Sequence, residues 1–126
     1  MIDRRCFDEV RETAPTPTRS TVKKLRPNVL QLEGEIDLHL SPEVAESLRL
    51  MVAKKPQVLV VDLEKVTYMD SSGLAVLIEA MQNVQKYGGK FALATVQESV
   101  KHIFEIARLD QVFQIFDHVD TALAAK

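Results

Sequence analysis

The stretch 58-VLVVDLEKVTYMDSSGLAVLIEAM-81 decides how this chain is built. It opens with 58-VLVVDL-63, a β-branched apolar run of the kind found in a strand covered on both faces. After Asp70 the period changes. At 100° per residue over 72–87, Leu74, Leu77, Ile78, Met81 and Val84 gather on one side, which is predicted to face a sheet. Ser72, Val76, Glu79, Asn83 and Lys86 fall on the other side, with Ala75 at its edge. A strand, a tight polar junction and an amphipathic helix in direct succession are the first two-thirds of a βαβ unit.

The same alternation continues on both sides of this stretch. Thr21–Leu25 and Val29–Ile36 each show period-two alternation around a turn at Arg26-Pro27-Asn28, as in a hairpin. Ser41-Pro42-Glu43 has the composition of a helix start, with a serine cap, proline at the first position and an acid in the first turn. Val44, Leu48, Met51 and Val52 give that helix one apolar face, and Pro56 marks its end. Downstream, Lys90–Thr95 follows the Gly88-Gly89 break as a strand. Gln97–Leu109 is predicted helical with Val100, Ile103, Phe104 and Ala107 inward. Val112–Phe116 is expected to be a last short strand and His118–Ala125 a terminal helix. The expected fold is α/β, a single domain over 21–126 with the later strands parallel. Residues 1–20 form an extension: Ile2, Cys6, Phe7 and Val10 recur at helical spacing, and 13-TAPTPTRS-20 is a Pro/Thr linker.

Bulk properties remove whole classes of function. At 126 residues and net charge −2 the chain lacks the basic field that sequence-independent nucleic-acid binding requires. Its single cysteine, Cys6, makes no internal disulfide and nucleates no metal cluster. The N-terminus carries charges throughout rather than a signal-peptide core, and no apolar run reaches the roughly 18–20 residues a membrane span needs. We therefore expect a cytoplasmic protein with no direct membrane insertion.

The junction at 70–73 carries the chemistry. Asp70 or Ser71 is a natural helix N-cap, because a side-chain oxygen there satisfies an orphan first-turn amide. The same position suits an anion, since the free amides and the helix dipole favour negative charge. A phosphoserine at Ser71 or Ser72 would add about −1.5 to −2 charge beside Asp70 and block a partner docked there while leaving the fold intact. A serine nucleophile would instead need a base and an oxyanion hole. His39, His102 and His118 are present, but there is no G-x-S-x-G elbow, and the four glycines form no phosphate-binding loop. Carboxylates are scattered rather than paired. The chain is not expected to be an enzyme or to hold a cofactor or metal.

The combination of 33-EGEID-37, 60-VVDLEKVTYMDSSGLAVL-77, 87-YGGKFAL-93 and 99-SVKHIFEIARLDQVFQIF-116, in this order and spacing, resembles the STAS domain. More narrowly, it resembles the bacterial anti-sigma factor antagonists. The resemblance implies a mixed central sheet of four to five strands with helices packed mainly on one side. It implies a partner switch. The unphosphorylated protein binds an anti-sigma factor that is also a serine/threonine kinase, and a sigma factor is freed. Phosphorylation of the serine after the aspartate, Ser71 here with Ser72 as the alternative, ends the complex, and a PP2C-type phosphatase reverses it. By the same correspondence Asp37 would lie beside the phosphorylation loop and contact the partner. With Asp70, Ser72, Gly73, Ala75, Val76, Glu79 and Asn83 it makes up the expected docking surface. A monomer in isolation is expected. A second reading, also within the family, is an adaptor subunit of a membrane lipid or anion transporter ATPase; the hydroxyl at Ser71 favours the switch. One departure is Ala75, where the family often has a second glycine.

Overall fold

The computed structural model describes residues 21–124. The amphipathic segment at Ile2–Val10, the linker at 13–20 and Ala125, the expected end of the last helix, lie outside the described residues. Five strands and four helices alternate along the chain: β1 (Thr21–Arg26), β2 (Val29–Ile36), α1 (Ser41–Val52), β3 (Val58–Met69), α2 (Ser71–Lys86), β4 (Lys90–Ala94), α3 (Glu98–Ile106), β5 (Gln114–Phe116) and α4 (Val119–Ala124). The strands lie in sequence order in one sheet. β1 and β2 are an antiparallel hairpin, and β2 through β5 run parallel, so the sheet is mixed. Each parallel crossover is made by a helix, which is what the alternation of strand and helix patterns requires.

The core divides by strand alternation. Leu30, Leu32, Leu59, Val61, Leu63, Phe91 and Leu93 point to one face, where they pack with the buried residues of α1, α2 and α3. Val29, Val60, Ala92 and Ala94 point to the other, covered by Ala122 of α4. Three helices against one face and one short helix against the other explain why small alanines suffice on the second face. Asp62 shares that second face and is buried, yet satisfied. Its carboxylate accepts hydrogen bonds from the Thr95 hydroxyl, the Glu64 amide and, at 3.4 Å, the Gln31 amide group.

Several boundaries differ from the sequence expectation; the four largest differences each have a local reason. β3 continues six residues past Leu63, to Met69. Its pairing with β2 steps from Gln31↔Asp62 to Glu33↔Lys65, and again from Gly34↔Val66 to Glu35↔Tyr68. Each step inserts one extra residue in β3, a bulge that turns the local period from two into three. Leu63, Val66 and Met69 are therefore all buried, a spacing that does not read as a strand. Gly34, at φ 89°, supplies the left-handed backbone opposite the second bulge.

Ser41 does not cap α1. It lies inside the helix, and the turn before it is closed by Asp37, whose Oδ1 accepts from the amides of His39 (3.0 Å) and Leu40 (3.2 Å). α3 stops at Ile106 rather than Leu109, because Arg108 adopts φ 61° and the Leu109 amide bonds back to the Phe104 carbonyl. Ala107 is consequently exposed. Finally, the Val112 and Phe113 amides both bond to the Leu109 carbonyl, so this turn delays β5 until Gln114. Phe113 turns into the core between Phe91 and Phe104.

Candidate functional site

β2 and β3 end side by side, with Ile36 paired to Met69 and the Asp70 amide bonded to the Ile36 carbonyl at 3.1 Å. Asp37 and Asp70, the next residues on the two strands, are thereby placed together at the carboxyl edge of the sheet. From that edge α1 and α2 both begin. In parallel α/β sheets this is the edge at which loops and helix starts are free to meet a ligand or partner.

Asp70 is the N-cap of α2. Its Oδ1 accepts from the amides of Ser72 (2.9 Å) and Gly73 (3.2 Å) and from the Ser72 hydroxyl. The Ser72 hydroxyl is the main reason the Asp70 carboxyl is held below its ordinary range. The Gly73, Ser72 and Leu38 amides act in the same direction, and burial opposes them. Asp37 uses its own carboxylate inside the β2–α1 loop, so the two acids are organised by separate sets of amides.

The two serines are not equivalent. Ser72 is half-buried and spends its hydroxyl on Asp70. Ser71 is exposed, and no described residue bonds its hydroxyl. The first-turn amides of Ser72 and Gly73 are both taken by Asp70. A phosphate on Ser71 would therefore enter as added charge beside Asp37 and Asp70, not as a replacement cap.

The remaining expected contact residues divide. Ala75 and Glu79 are exposed and continue from Ser71 at four-residue intervals along one stripe. Val76 and Asn83 are half-buried and line a seam against Ala45, Leu48 and Val52 of α1, which the exposed Glu79 also borders. They do not share the open stripe. Gly73 is buried: a Cβ there would come 2.7 Å from Met69 Cγ and 3.0 Å from the Ile36 carbonyl oxygen. Its lack of a side chain lets the first turn of α2 sit directly on the strand ends. The wheel misplaced these residues because it weighted the large side chains. In the structure α2 approaches the sheet through Gly73 and Ala80, with Leu77, Met81 and Val84 beside them, which rotates Leu74 and Ile78 to a half-buried flank.

Leu38, absent from the sequence-based set, belongs to the site. It is 69% exposed between Asp37 and His39, and its amide is one of the groups that hold the Asp70 carboxyl below its ordinary range. In 36-IDLHLS-41 two leucines alternate with polar residues, and Leu40 is buried. Sequence alone carries no sign of which one turns outward. The mouth of α2 thus presents two carboxylates, one unengaged hydroxyl and an exposed apolar side chain on open surface, an arrangement suited to docking. Among the described residues no group of His, Cys, Asp and Glu is disposed to hold a metal ion, and no helix is long and apolar enough to cross a membrane.

The STAS domain profile matches residues 19–122, and the chain belongs to the STAS domain family. The anti-sigma-B factor antagonist of Listeria monocytogenes is 34% identical over 82 residues, covering 65% of this chain and 72% of the relative. That of Bacillus subtilis is 33% identical over 86 residues, covering 68% and 78%. The crystal structure of an anti-sigma factor antagonist from Mycobacterium paratuberculosis superposes with a TM-score of 0.72 at 25% identity, over 87% of this chain and 96% of that one. The five-stranded mixed sheet and its helices are the STAS fold.

Proposed function

We propose that this protein is an anti-sigma factor antagonist working as a phosphorylation-controlled partner switch. Unphosphorylated, it docks on an anti-sigma factor that is also a serine/threonine kinase, and the sigma factor is released. The kinase transfers a phosphoryl group to Ser71, the complex parts, and a PP2C-type phosphatase rearms the antagonist. The chain itself performs no catalysis; its part is to present a surface and one acceptor hydroxyl.

The observation that carries this reading is the contrast between the two hydroxyls. Ser71 lies open at the helix mouth directly after Asp70, whereas the Ser72 hydroxyl is bonded to Asp70. An acceptor must reach into a kinase active site, which an exposed, unengaged side chain does at least cost. The contact surface follows from the same geometry: Asp37, Leu38, Asp70, Ser71, Ala75 and Glu79. A phosphate of about −1.5 to −2 charge at its centre joins two existing carboxylates and opposes any partner that met the patch through apolar or acidic groups.

The test is incubation with the cognate anti-sigma kinase and ATP, followed by mass mapping of the peptide spanning 66–86. Phosphate is expected on Ser71, lost in Ser71→Ala and retained in Ser72→Ala. Phosphate on Ser72, or none on this peptide, overturns the assignment. Ser71→Asp is expected to weaken kinase binding by about 1–3 kcal/mol or more; calorimetry giving undiminished affinity with a folded variant would count against the switch.

A further inference from the structure

Among the described residues, three helices cover the first face of the sheet but only α4, six residues long, covers the second. Beside Leu123, in the last turn of α4, a cavity of about 560 Å³ opens over the amino-terminal ends of the central strands. The half-buried Val58 and Leu123 give it an apolar floor. Its walls are polar: Arg26 and Asn28 from the β1–β2 turn, Gln57 from the loop before β3, and Lys90 from the start of β4. This is the volume of a site for a small organic molecule, not for a single ion.

The charge at this end of the sheet is of one sign. The three connections 24-KLRPN-28, 53-AKKPQ-57 and 86-KYGGK-90 carry Lys24, Arg26, Lys54, Lys55, Lys86 and Lys90, and no acid. Asp37 and Asp70 stand at the opposite edge, so a net charge of −2 conceals a basic end and an acidic one. Asp120 of α4 reaches Arg26 at 3.7 Å, but the acid is 88% exposed and such a pair contributes little. No ion pair among the described residues engages the Lys90 ammonium. Arg26 and Lys90 lie three strand spacings apart, about 14 Å at the backbone, and both line the cavity between them. Arg26 offers the planar fork that suits a phosphate, Lys90 a compact point charge. The amide groups of Asn28 and Gln57 add neutral donors and acceptors.

We propose that this cavity binds a small organic phosphate, with the phosphate held between Arg26 and Lys90 and the apolar body resting on Val58 and Leu123. Side chains hold the anion, so no glycine-rich loop is needed. A soluble phosphate ester and a lipid headgroup share this chemistry; the apolar floor inside a recess favours the soluble ester, and the test separates the two. The full length of β3 lies between Val58 and the mouth at Asp70, so the site stands or falls independently of the partner switch.

Amide NMR of the full chain, titrated with 1-naphthyl phosphate, inorganic phosphate and 1-naphthol, provides the test. Saturable shifts are expected at Asn28, Val58, Gly88 and Lys90 with naphthyl phosphate. Its Kd should lie about tenfold or more below that of either inorganic phosphate or naphthol, because only the ester uses both the cations and the floor. Arg26→Gln and Lys90→Gln should each raise that Kd about fivefold or more. Both residues are exposed and outside the two core clusters, so the melting temperature should not change. No saturable response to naphthyl phosphate, a Kd unaffected by either variant, or shifts centred on Asp70 and Ser71 would overturn the proposal. Co-sedimentation with phosphatidylglycerol vesicles that Arg26→Gln abolishes, without a response to naphthyl phosphate, would overturn it in favour of a lipid headgroup.

Discussion

Asp70 does three things at once: it ends β3, caps α2 and keeps Ser72 occupied. Replacing it with alanine removes the acceptor of two first-turn amides, and we expect a loss of about 1 kcal/mol in denaturant melts. Because its carboxyl is held below the ordinary range, the stability it contributes is present above the unfolded pKa, near 4. That contribution fades as pH falls through the lower folded value. The difference in stability between the wild type and Asp70→Asn should therefore shrink on acidification below about pH 4; a gap that widened instead would mean the carboxylate is not stabilised in the fold. Gly73 sets the other residue-scale constraint. Alanine gains up to about 1 kcal/mol of helix propensity, but its Cβ would lie 2.7 Å from Met69 Cγ and 3.0 Å from the Ile36 carbonyl oxygen. Overpacking of this kind costs about 1–3 kcal/mol, so Gly73→Ala is expected to lower the melting temperature, and a rise would show that Met69 moves aside freely.

At the scale of the element, α2 is held between the sheet and α1. Leu77 is fully buried, and Leu77→Ala is expected to cost about 2–4 kcal/mol. Ile78 is only half-buried on the flank; Ile78→Ala should cost clearly less than Leu77→Ala, and equal losses in the two urea melts would mean the helix is rotated from the orientation described. The salt bridge from Arg49 to Glu79, at 3.8 Å between half-exposed groups, adds little to this packing. Periodicity was sufficient to reveal α2, because its apolar residues repeat along a long segment. It was insufficient for β3, because two bulges space Leu63, Val66 and Met69 three apart, and that signal belongs to pairing with β2 rather than to the segment itself. The ends of α3 and β5 were likewise decided by carbonyl bonds around Leu109 that no local pattern announces.

At the scale of the whole molecule, the rigid sheet and the open mouth are separable. Ser71→Asp changes an exposed side chain and leaves the Asp70 cap in place. Its melting transition should match the wild type to within about 0.5 kcal/mol, as the switch requires. A large loss would mean that charge at this point unfolds the helix start. Residues 21–126 alone should also fold, because among the described residues the buried members of both core clusters run from Val29 to Ala122 and already fill both faces of the sheet; circular dichroism of the truncated chain with a cooperative melt is the expected result, and an unfolded spectrum would contradict it.

The chain's own residues were enough to determine the order of its elements, an α/β layering with the later strands parallel, and the polar junction at Asp70-Ser71-Ser72-Gly73. These follow from side-chain period and cap chemistry, which are local. Only the tertiary structure decided that Asp37 stands beside Asp70, that Ser72 is engaged while Ser71 is open, and that Leu38 rather than Leu40 faces outward. It also decided that Gly73 packs on the strand ends and that Val76 and Asn83 turn toward α1. The reason is register: pairing Ile36 with Met69 across β2 and β3 brings together residues more than thirty positions apart, and the packing of α1 on α2 sets which side of the helix water can reach.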